Sequence, residues 1–554
     1  MTVQRSLLSD LFSEFPLPIL SGKPDDTPIT GISVDSRKVI PGNLFIACTG
    51  GEADGHMYIP DALAHGAVAV IGETHLVGDG RIGEKVPYIR VENSRQALAY
   101  LAAAFYGHPA RKLTMIGVTG TDGKTTTTNL LYHILLKASV RAGMISTVNA
   151  VIGDQVLDTG FHVTTPEAED VQRYLAMMVE AGITHVVLET TSHGLAQYRV
   201  DACEFDIGVV TNITHEHLDY HGTYEAYCAA KARLLVGLAN TLPKPQGNPR
   251  LAVINRDDTS YGYLFSIIKS TTGYQVYNVS YGLTKKADLF AGKIHQTASG
   301  LEFGIKKENL RIAITSRLLG RFNVYNTLAA FAAAITGLGI DPRAAADAIA
   351  SFAGVPGRME SIELGQSFTA IVDFAHTPNA LHVALETARG QLTTAMITKN
   401  TKNKKIISEH SVGSLVKNSR LIAIFGSAGL RDREKRSMMA EISVELADIT
   451  ILTAEDPRTE SLDDILEEMA CGARARGGKE GKTFFRIPDR GEAIRLGVRM
   501  AQKGDIVIAC GKGHEQSMCF GTTEYPWDDR TAMRAAIAEL LKIPGPQMPT
   551  LPTH

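Results

Sequence analysis

The stretch GVTGTDGKTTTTNLL, Gly117 to Leu131, limits what this chain can fold into more than any other. An apolar strand, KLTMIGVTG, runs into a glycine-bearing turn, and a helix opens on Lys-Thr. That order predicts a phosphate cradle. Gly120 and Gly123 let backbone N–H groups close around phosphate oxygens, and the helix N-terminus adds the positive end of its dipole. Lys124 is spaced to reach the outer phosphates, and the Thr125 hydroxyl to hold Mg2+. The common spelling carries a glycine five places before the Gly-Lys pair; Val118 stands there instead.

Around this loop the chain reads as three blocks. Residues 1–109 give short strands and turns, closed by the helix SRQALAYLAAAFYG and a break at His108-Pro109. Residues 110–354 alternate the strands THVVLETT, FDIGVVTNI and RLAVINRD with helical patterns, which predicts a mostly parallel sheet covered by helices. After the Gly- and Pro-bearing linker AGVPGRMESI, residues 355–554 repeat that rhythm with TAIVDFA, RLIAIFG, ITILTAED and GDIVIACG. Ligands are expected at the carboxyl ends of such strands. The fold class is therefore α/β throughout, and 554 residues suit about three to four domains.

Composition excludes more than it assigns. A formal net charge of −3 makes no case for a nucleic-acid or membrane partner. The Lys- and Asn-rich stretch 398–420 has no aromatics and reads as a solvated surface insertion. Six scattered cysteines without a C-x-x-C pair argue against a disulfide framework or structural zinc. The first twenty residues read as an amphipathic helix, not a signal peptide, and no apolar run approaches the ~18 residues of a membrane span. A cytoplasmic protein is expected.

A second cluster lies downstream in LETTSHGLAQYRVDACEFDIGVVTNITHEHLDYHGTYEAYCAAKARLL. Glu189 ends a buried strand, where a carboxylate is costly without a cation or partner. His217 and Asp219 follow the strand FDIGVVTNI and could face the same crevice, while His193, His215 and His221 also suit turns or caps. Proximity to a phosphate loop is what makes the group a candidate site.

These residues resemble the Mur ligase family, ATP-dependent amino-acid ligases of peptidoglycan assembly. G-T-D-G-K-T-T, S-H-G-L, T-N-I-T-x-E-H-L-D-Y-H-G and A-A-K-A-R-L-L match in order and spacing. The likeness runs from VDSRKVIPGNLFIACTGGEADGH to GKGHEQSMCFGTTEYPWDDR. It implies a three-domain architecture: a small α/β N-terminal domain for the UDP-MurNAc end, a central P-loop NTPase-like parallel sheet for ATP, and a Rossmann-like C-terminal domain for the amino acid. Within the family, the branch adding a third, diamino acid to UDP-MurNAc-L-Ala-D-Glu matches best.

The resemblance implies that a peptide carboxylate attacks the γ-phosphate of ATP, and that an amine then attacks the acyl phosphate as the domains close and exclude water. It assigns Gly120, Thr121, Asp122, Gly123, Lys124, Thr125 and Thr126 to the phosphates, with Asn323 and Asn326 near the adenine. Arg358, Asp373 and His376 would close over ATP; Phe374 stands where the family often has Tyr. Thr125 and Glu189 would bind one Mg2+, and Glu189 with His217 a second. Lys231 would carry a CO2-derived carbamate as an anionic ligand, although a helix lysine can equally snorkel to water. Lys124, Glu189, His217 and Lys231 are the implied catalytic group.

For the UDP-MurNAc-dipeptide, Ser36 matches the uridine and sugar end; Thr164, Thr165, Thr191, Gln197 and Arg199 match the acidic peptide. Arg431, Glu455, Asp456, Pro457, Arg458, Gly511 and Glu515 align with the amino-acid site. Diaminopimelate enzymes usually read D-N-P-R where this chain reads Glu455-Asp456-Pro457-Arg458. Arg458 can pair with a distal carboxylate, whereas Asp456 would repel one and suit the lone ammonium of lysine or ornithine. The diamino acid is thus meso-diaminopimelate or L-lysine/L-ornithine. Two other readings use the same residues. A folylpolyglutamate synthase shares the central domain but lacks the DSRKV and GKGHE segments; an inactive Mur-like binding protein is expected to have lost the catalytic group. A monomer is expected.

Overall fold

The strand Thr114–Thr119 is buried at all six residues and lies at the centre of a parallel sheet. It pairs on one side with His185–Glu189 and on the other with Ile207–Val210. Ala142–Ile145 extends the first side; Leu251–Asn255 and Tyr277–Gly282 extend the second. Near-continuous apolar runs such as HVVLE and LAVIN suit strands covered on both faces. The chain crosses from one side of Thr114–Thr119 to the other between His185–Glu189 and Ile207–Val210, so a strand-end crevice opens beside the phosphate loop.

This computed structural model describes residues 5–50, 54–75, 81–82, 86–157, 165–214, 216–297, 300–401 and 419–552. The chain divides into two compact units. The first comprises Met1–Gly292 with Ile305–Ile312 and Tyr325–Ile349; the second comprises Lys293–Gly304, Ala313–Val324 and Ala350–His554. Most of the 398–420 insertion lies outside the described residues; the helix Pro378–Thr401 leads up to it.

In the first unit the N-terminal block forms its own sheet, ordered Ile19–Ser21, Val86–Val91, Ala69–Gly72, Asn43–Ile46, Gly31–Ser33. Ser94–Phe105 covers it, capped by Asn93, whose side chain accepts from the Gln96 amide at 2.9 Å. The expected amphipathic first helix is a single turn, Leu8–Leu11, preceded by the strand Ser6–Leu7. Leu8 and Leu11 bury there, while Pro16 and Pro18 lack the amide hydrogens a continuing helix needs. Gln96 donates to Asp201 at 2.9 Å, and Arg111 pairs with both Glu14 and Glu204, so the N-terminal block is tied to the central sheet.

The second unit has the strand order Glu360–Ile362, Thr369–Asp373, Ile506–Cys510, Leu421–Phe425, Ile449–Leu452, Phe484–Arg486. All pairs are parallel except the first. Arg490 clamps two of its strand ends. Its guanidinium donates to the carbonyls of Ala454 (3.1 Å) and Cys510 (2.8 Å) and bidentately to Asp529 (2.7 and 2.6 Å). Trp527 Nε1 donates to the same carboxylate at 2.8 Å, and neither charged side chain reaches water.

Removing one partner of such a pair strands the other charge in the interior. Asp529→Asn is expected to cost about 3–5 kcal/mol and lower the melting temperature. Thermal unfolding of the variant checks this; an unchanged melting curve for Asp529→Asn would contradict it.

Candidate active site

Each glycine of the phosphate loop sits where a side chain cannot. Gly120 (φ 152°) faces the Thr211 hydroxyl and Gly123 (φ 80°) the Asn326 amide, so a Cβ at either would collide. The loop is braced from the neighbouring strand end. Thr121 N–H donates to the Asn212 carbonyl (2.8 Å), Asp122 N–H to Asn212 Oδ1 (2.9 Å), and the Thr211 hydroxyl to the Asp122 carbonyl (2.6 Å). Thr121 also hydrogen-bonds Tyr227 through their hydroxyls at 3.0 Å. Lys124 Nζ donates to the Thr121 carbonyl at 2.7 Å. Thr126 lies on the first turn of the helix Lys124–Lys137.

Thr125 and Glu189 meet: the Thr125 hydroxyl donates to Glu189 Oε1 at 2.9 Å, and Thr147 N–H donates to Oε2 at 3.1 Å. Glu189 is buried at the end of its strand, as expected for a carboxylate that needs partners. Lys231 is buried as well, in the middle of the helix Tyr224–Asn240. Its Nζ donates to the Gly120 carbonyl at 2.6 Å and lies 4.7 Å from the Tyr227 ring centre. Burial, then the nearby Lys124, hold the Lys231 ammonium well below its ordinary range. The snorkelling alternative therefore does not describe Lys231.

His217 is exposed, has a left-handed backbone (φ 54°) and packs 4.8 Å from the His193 ring. His221 lies 5.2 Å from Tyr227 and 5.5 Å from His193, so the histidines form one aromatic group. His215 and the side chain of Asp219 lie outside the described residues.

Beside Glu189, Thr165 donates to the Glu189 carbonyl (3.3 Å) and hydrogen-bonds Thr191 (3.1 Å). Thr191 also caps the helix Ser192–Ala196. Arg199 donates to the Thr165 carbonyl (2.7 Å) and twice to Gln197 Oε1 (3.0 and 2.7 Å), and pairs with Glu167 at 2.9 Å. Thr164 lies outside the described residues. In the N-terminal block Ser36 is buried, starting a turn capped by Asp35. Of the GGEADGH turn, residues 51–53 are not described; Asp54 caps the short helical turn Gly55–Tyr58 and pairs with His56 at 2.6 Å.

In the second unit, Asp373 accepts from the amides of Met359 (2.7 Å) and Ala375 (2.9 Å). Phe374 sits under the Arg358 guanidinium at 4.3 Å, with His376 and His514 at 4.5 and 4.7 Å. Asn323, also buried, donates to the Leu319 carbonyl at 2.7 Å. Burial pulls His514 down to about 3, and its Nδ1 has no hydrogen-bond partner among the described residues.

Arg431 is exposed, while Glu455, Asp456, Pro457 and Gly511 are buried. Gly511 (φ 111°) has no room for a Cβ beside Glu455 Oε2, an oxygen without a hydrogen-bond partner among the described residues. Asp456 and Glu515 are both paired with Lys512. Thr211, Asn212, Tyr227, His514 and Lys512 all shape these sites without having been singled out from sequence. Each stands inside a quoted motif, and spacing gave no sign of which way its side chain turns.

Residues 28–106 match the family described as "Mur ligase family, catalytic domain", 118–334 "Mur ligase middle domain", and 404–513 "Mur ligase, glutamate ligase domain". A UDP-N-acetylmuramyl-tripeptide synthetase from a Roseiflexus species is 42% identical, over 93% of this chain and 96% of its own. A UDP-N-acetylmuramoyl-L-alanyl-D-glutamate–2,6-diaminopimelate ligase from Geobacillus kaustophilus is 40% identical, over 94% and 96%. A solved structure of an enzyme with that same name superposes with a TM-score of 0.64 at 32% identity, covering 97% of this chain and 99% of the other.

Glu455 supplies a measurable consequence. Burial pushes its carboxyl up to about 7, against the pull of Lys435, Arg490 and Lys512. The unfolded chain releases this proton first, so the group costs stability as pH rises from its unfolded value of 4.5 through about 7. Glu455→Gln is expected to raise the melting temperature by a few degrees at pH 8, well above that window, and much less at pH 5. A gain equal at both pH values would contradict the assignment.

Proposed function

This chain belongs to the Mur ligase family, and from that premise we propose that it joins a diamino acid to UDP-MurNAc-L-Ala-D-Glu with hydrolysis of ATP to ADP and phosphate. The observation that carries the reading is the Thr125–Glu189 contact beside the loop that Lys231 underpins at Gly120. A phosphate cradle with a carboxylate at its hydroxyl supplies the positioning and the metal-holding oxygens that phosphoryl transfer uses, and the buried lysine beneath it supports the Mur-type form of that site. The backbone of Gly120–Thr126 and the Lys124 ammonium would hold the phosphates of ATP. Thr165, Thr191, Gln197 and Arg199 would orient the acidic peptide so that its side-chain carboxylate attacks the γ-phosphorus.

The acyl phosphate formed is then attacked by the amine of the diamino acid; the amide forms, phosphate leaves, and the amine proton is lost. Thr125 and Glu189, a hydroxyl and a carboxylate in contact, fit Mg2+ as hard oxygen donors; His217 would add an imidazole, and the ion would supply charge neutralisation at the phosphates. Lys231 fits carbamylation. Only a neutral amine adds CO2, and burial favours that form. The product is an anion with two oxygens at a place where an ammonium could bind no metal. Arg358, Asp373 and His376 would serve the nucleotide from the C-terminal block, with Asn323 and Asn326 at the adenine. Ser36 and the turn after Thr49 would serve the uridine end. ATP as co-substrate suits the cytoplasm, and no helix among the described residues is long and apolar enough to cross a membrane.

Domain boundaries at 109/110 and 354/355 are part of the same reading. The first is supported by the left-handed His108 before Pro109 and the second by Gly354 at φ 110°. For the added amino acid, Arg458 offers a bidentate partner to the second carboxylate of meso-diaminopimelate, while L-lysine or L-ornithine would dispense with it.

The deciding assay measures ATP-dependent phosphate release with UDP-MurNAc-L-Ala-D-Glu and, in turn, diaminopimelate, lysine and ornithine. Release is expected only when both the nucleotide-sugar peptide and one of these amines are present. Ligation of glutamate or a folate in their place would overturn the proposal. Lys124→Ala is expected to lower the rate about a hundredfold or more. Lys231→Ala is expected to lose activity that added acetate partly restores. Isotope-labelled bicarbonate should give a carbamate NMR resonance in the wild type and none in Lys231→Ala; full, acetate-insensitive activity of the variant would sink the carbamate.

A further inference from the structure

Two loops of the second unit meet through one buried cation. The first lies after the strand Ile449–Leu452 and carries Glu455, Asp456 and Arg458; the second lies after Ile506–Cys510 and carries Lys512 and Glu515. Lys512 is fully buried. Its Nζ lies 3.0 and 3.1 Å from the two Asp456 oxygens and 2.5 Å from Glu515 Oε2. Asp456 Oδ1 also accepts from the Cys519 amide at 2.9 Å.

The same backbone segment fixes Arg458, which donates its N–H to the Cys519 carbonyl (3.1 Å) and accepts from the Gly521 amide (2.8 Å). Asp456 and Arg458 both hold left-handed backbones (φ 42° and 55°), which a non-glycine residue keeps only when its surroundings impose them. Burial pulls the Lys512 ammonium down, but Glu515 and Asp456 together push it above its ordinary value, so the cation is held in its charged form between them.

A carboxylate at Asp456 that faced an incoming amino acid would repel a second carboxylate on it and favour a plain ammonium. Here both of its oxygens face Lys512. We propose that Lys512 is the specificity-determining positioning residue of the amino-acid site. By cancelling the Asp456 charge and pinning the turn that bears Arg458, it keeps that turn open to an amino acid with a second carboxylate. It holds Glu515 in place through the same ammonium. The proposal rests on the ligase reading above and refines which amine that ligase accepts.

The test uses the full-length enzyme with ATP and UDP-MurNAc-L-Ala-D-Glu. The ratio of kcat/KM for meso-diaminopimelate to that for L-lysine is measured in four proteins: wild type, K512M, D456N and D456N/K512M. In the wild-type background Lys512→Met is expected to move the ratio toward lysine by about tenfold, the order expected of one uncompensated charge near a second carboxylate. In the D456N background the same change is expected to move it by no more than about threefold, because the Asp456 charge is gone and only the Glu515 pairing is left to lose. The KM for the nucleotide-sugar peptide should not track the ratio. Lys512→Arg, which keeps the cation, should stay near wild type.

Equal shifts in the two backgrounds, or no shift in either, would overturn the role of Lys512. Should Lys512→Met not accumulate as folded protein, Lys512→Gln carries the same comparison, since it drops the charge and keeps a donor. A wild type that ligates neither amino acid fails at the ligase reading itself, and is told apart by the absence of any ratio to shift.

Discussion

Parallel strands buried on both faces leave only their carboxyl ends for chemistry, and a charge stored at either end of a strand has to be matched. The molecule does this in two ways. Asp206 and Lys244 form a closed set: Lys244 Nζ reaches Asp206, Leu113 O and Glu204 O, and Asp206 takes the Met115 amide and the Asn248 side chain. Arg490 and Asp529 are closed in the same sense. Such pairs hold strand ends and have nothing left to offer a ligand. Glu455 is different. It keeps an oxygen without a hydrogen-bond partner among the described residues, at a strand end where its neighbours are cations. A buried carboxylate in that state is costly to the apo fold, and binding an ammonium would relieve it.

The same contrast separates scaffold from chemistry in the first unit. Thr211 and Asn212 leave the end of Ile207–Val210 and spend their polar atoms on the phosphate loop. They make the loop rigid before any nucleotide arrives, which is the condition for electrostatic stabilisation without reorganisation. Tyr227 joins this scaffold through Thr121 and also covers Lys231, so the lysine and the loop share one support.

Much of this was legible in the residues. The strands THVVLE, DIGVV, LAVIN, TAIVD, LIAIF, ITIL and DIVIAC announce themselves as continuous apolar runs ending in polar loops, and the structure has a strand at each. Motif order was enough to gather Thr125 with Glu189 and Thr165 with Thr191. What pattern does not carry is the direction in which a charged side chain turns. Asp456 is assigned to the amino-acid site with Glu455 and Arg458 because the resemblance aligns the whole stretch; its partner, Lys512, lies on another loop and comes near only when two non-adjacent strands take their places in the sheet. Lys231 was open between water and burial for the same reason, since a helix lysine in a small-residue run fits either until the facing loop is placed.

The unusual spelling of the phosphate loop has a plain cause in register. Val118 is not a turn residue. It pairs with Glu189 on one side and Val209 on the other, is fully buried, and gives its carbonyl to the Thr190 amide at 2.8 Å. A glycine there would weaken the middle of the sheet at the rung that presents Glu189, and would supply no turn in exchange. The strand instead runs on to Thr119, and the reversal falls on Gly120, whose φ of 152° and contact with Thr211 exclude any side chain. Extending the strand in this way puts Val118 and Glu189 on one rung, so the carboxylate that meets Thr125 is fixed by the sheet's own hydrogen bonds and not by the mobility of a loop.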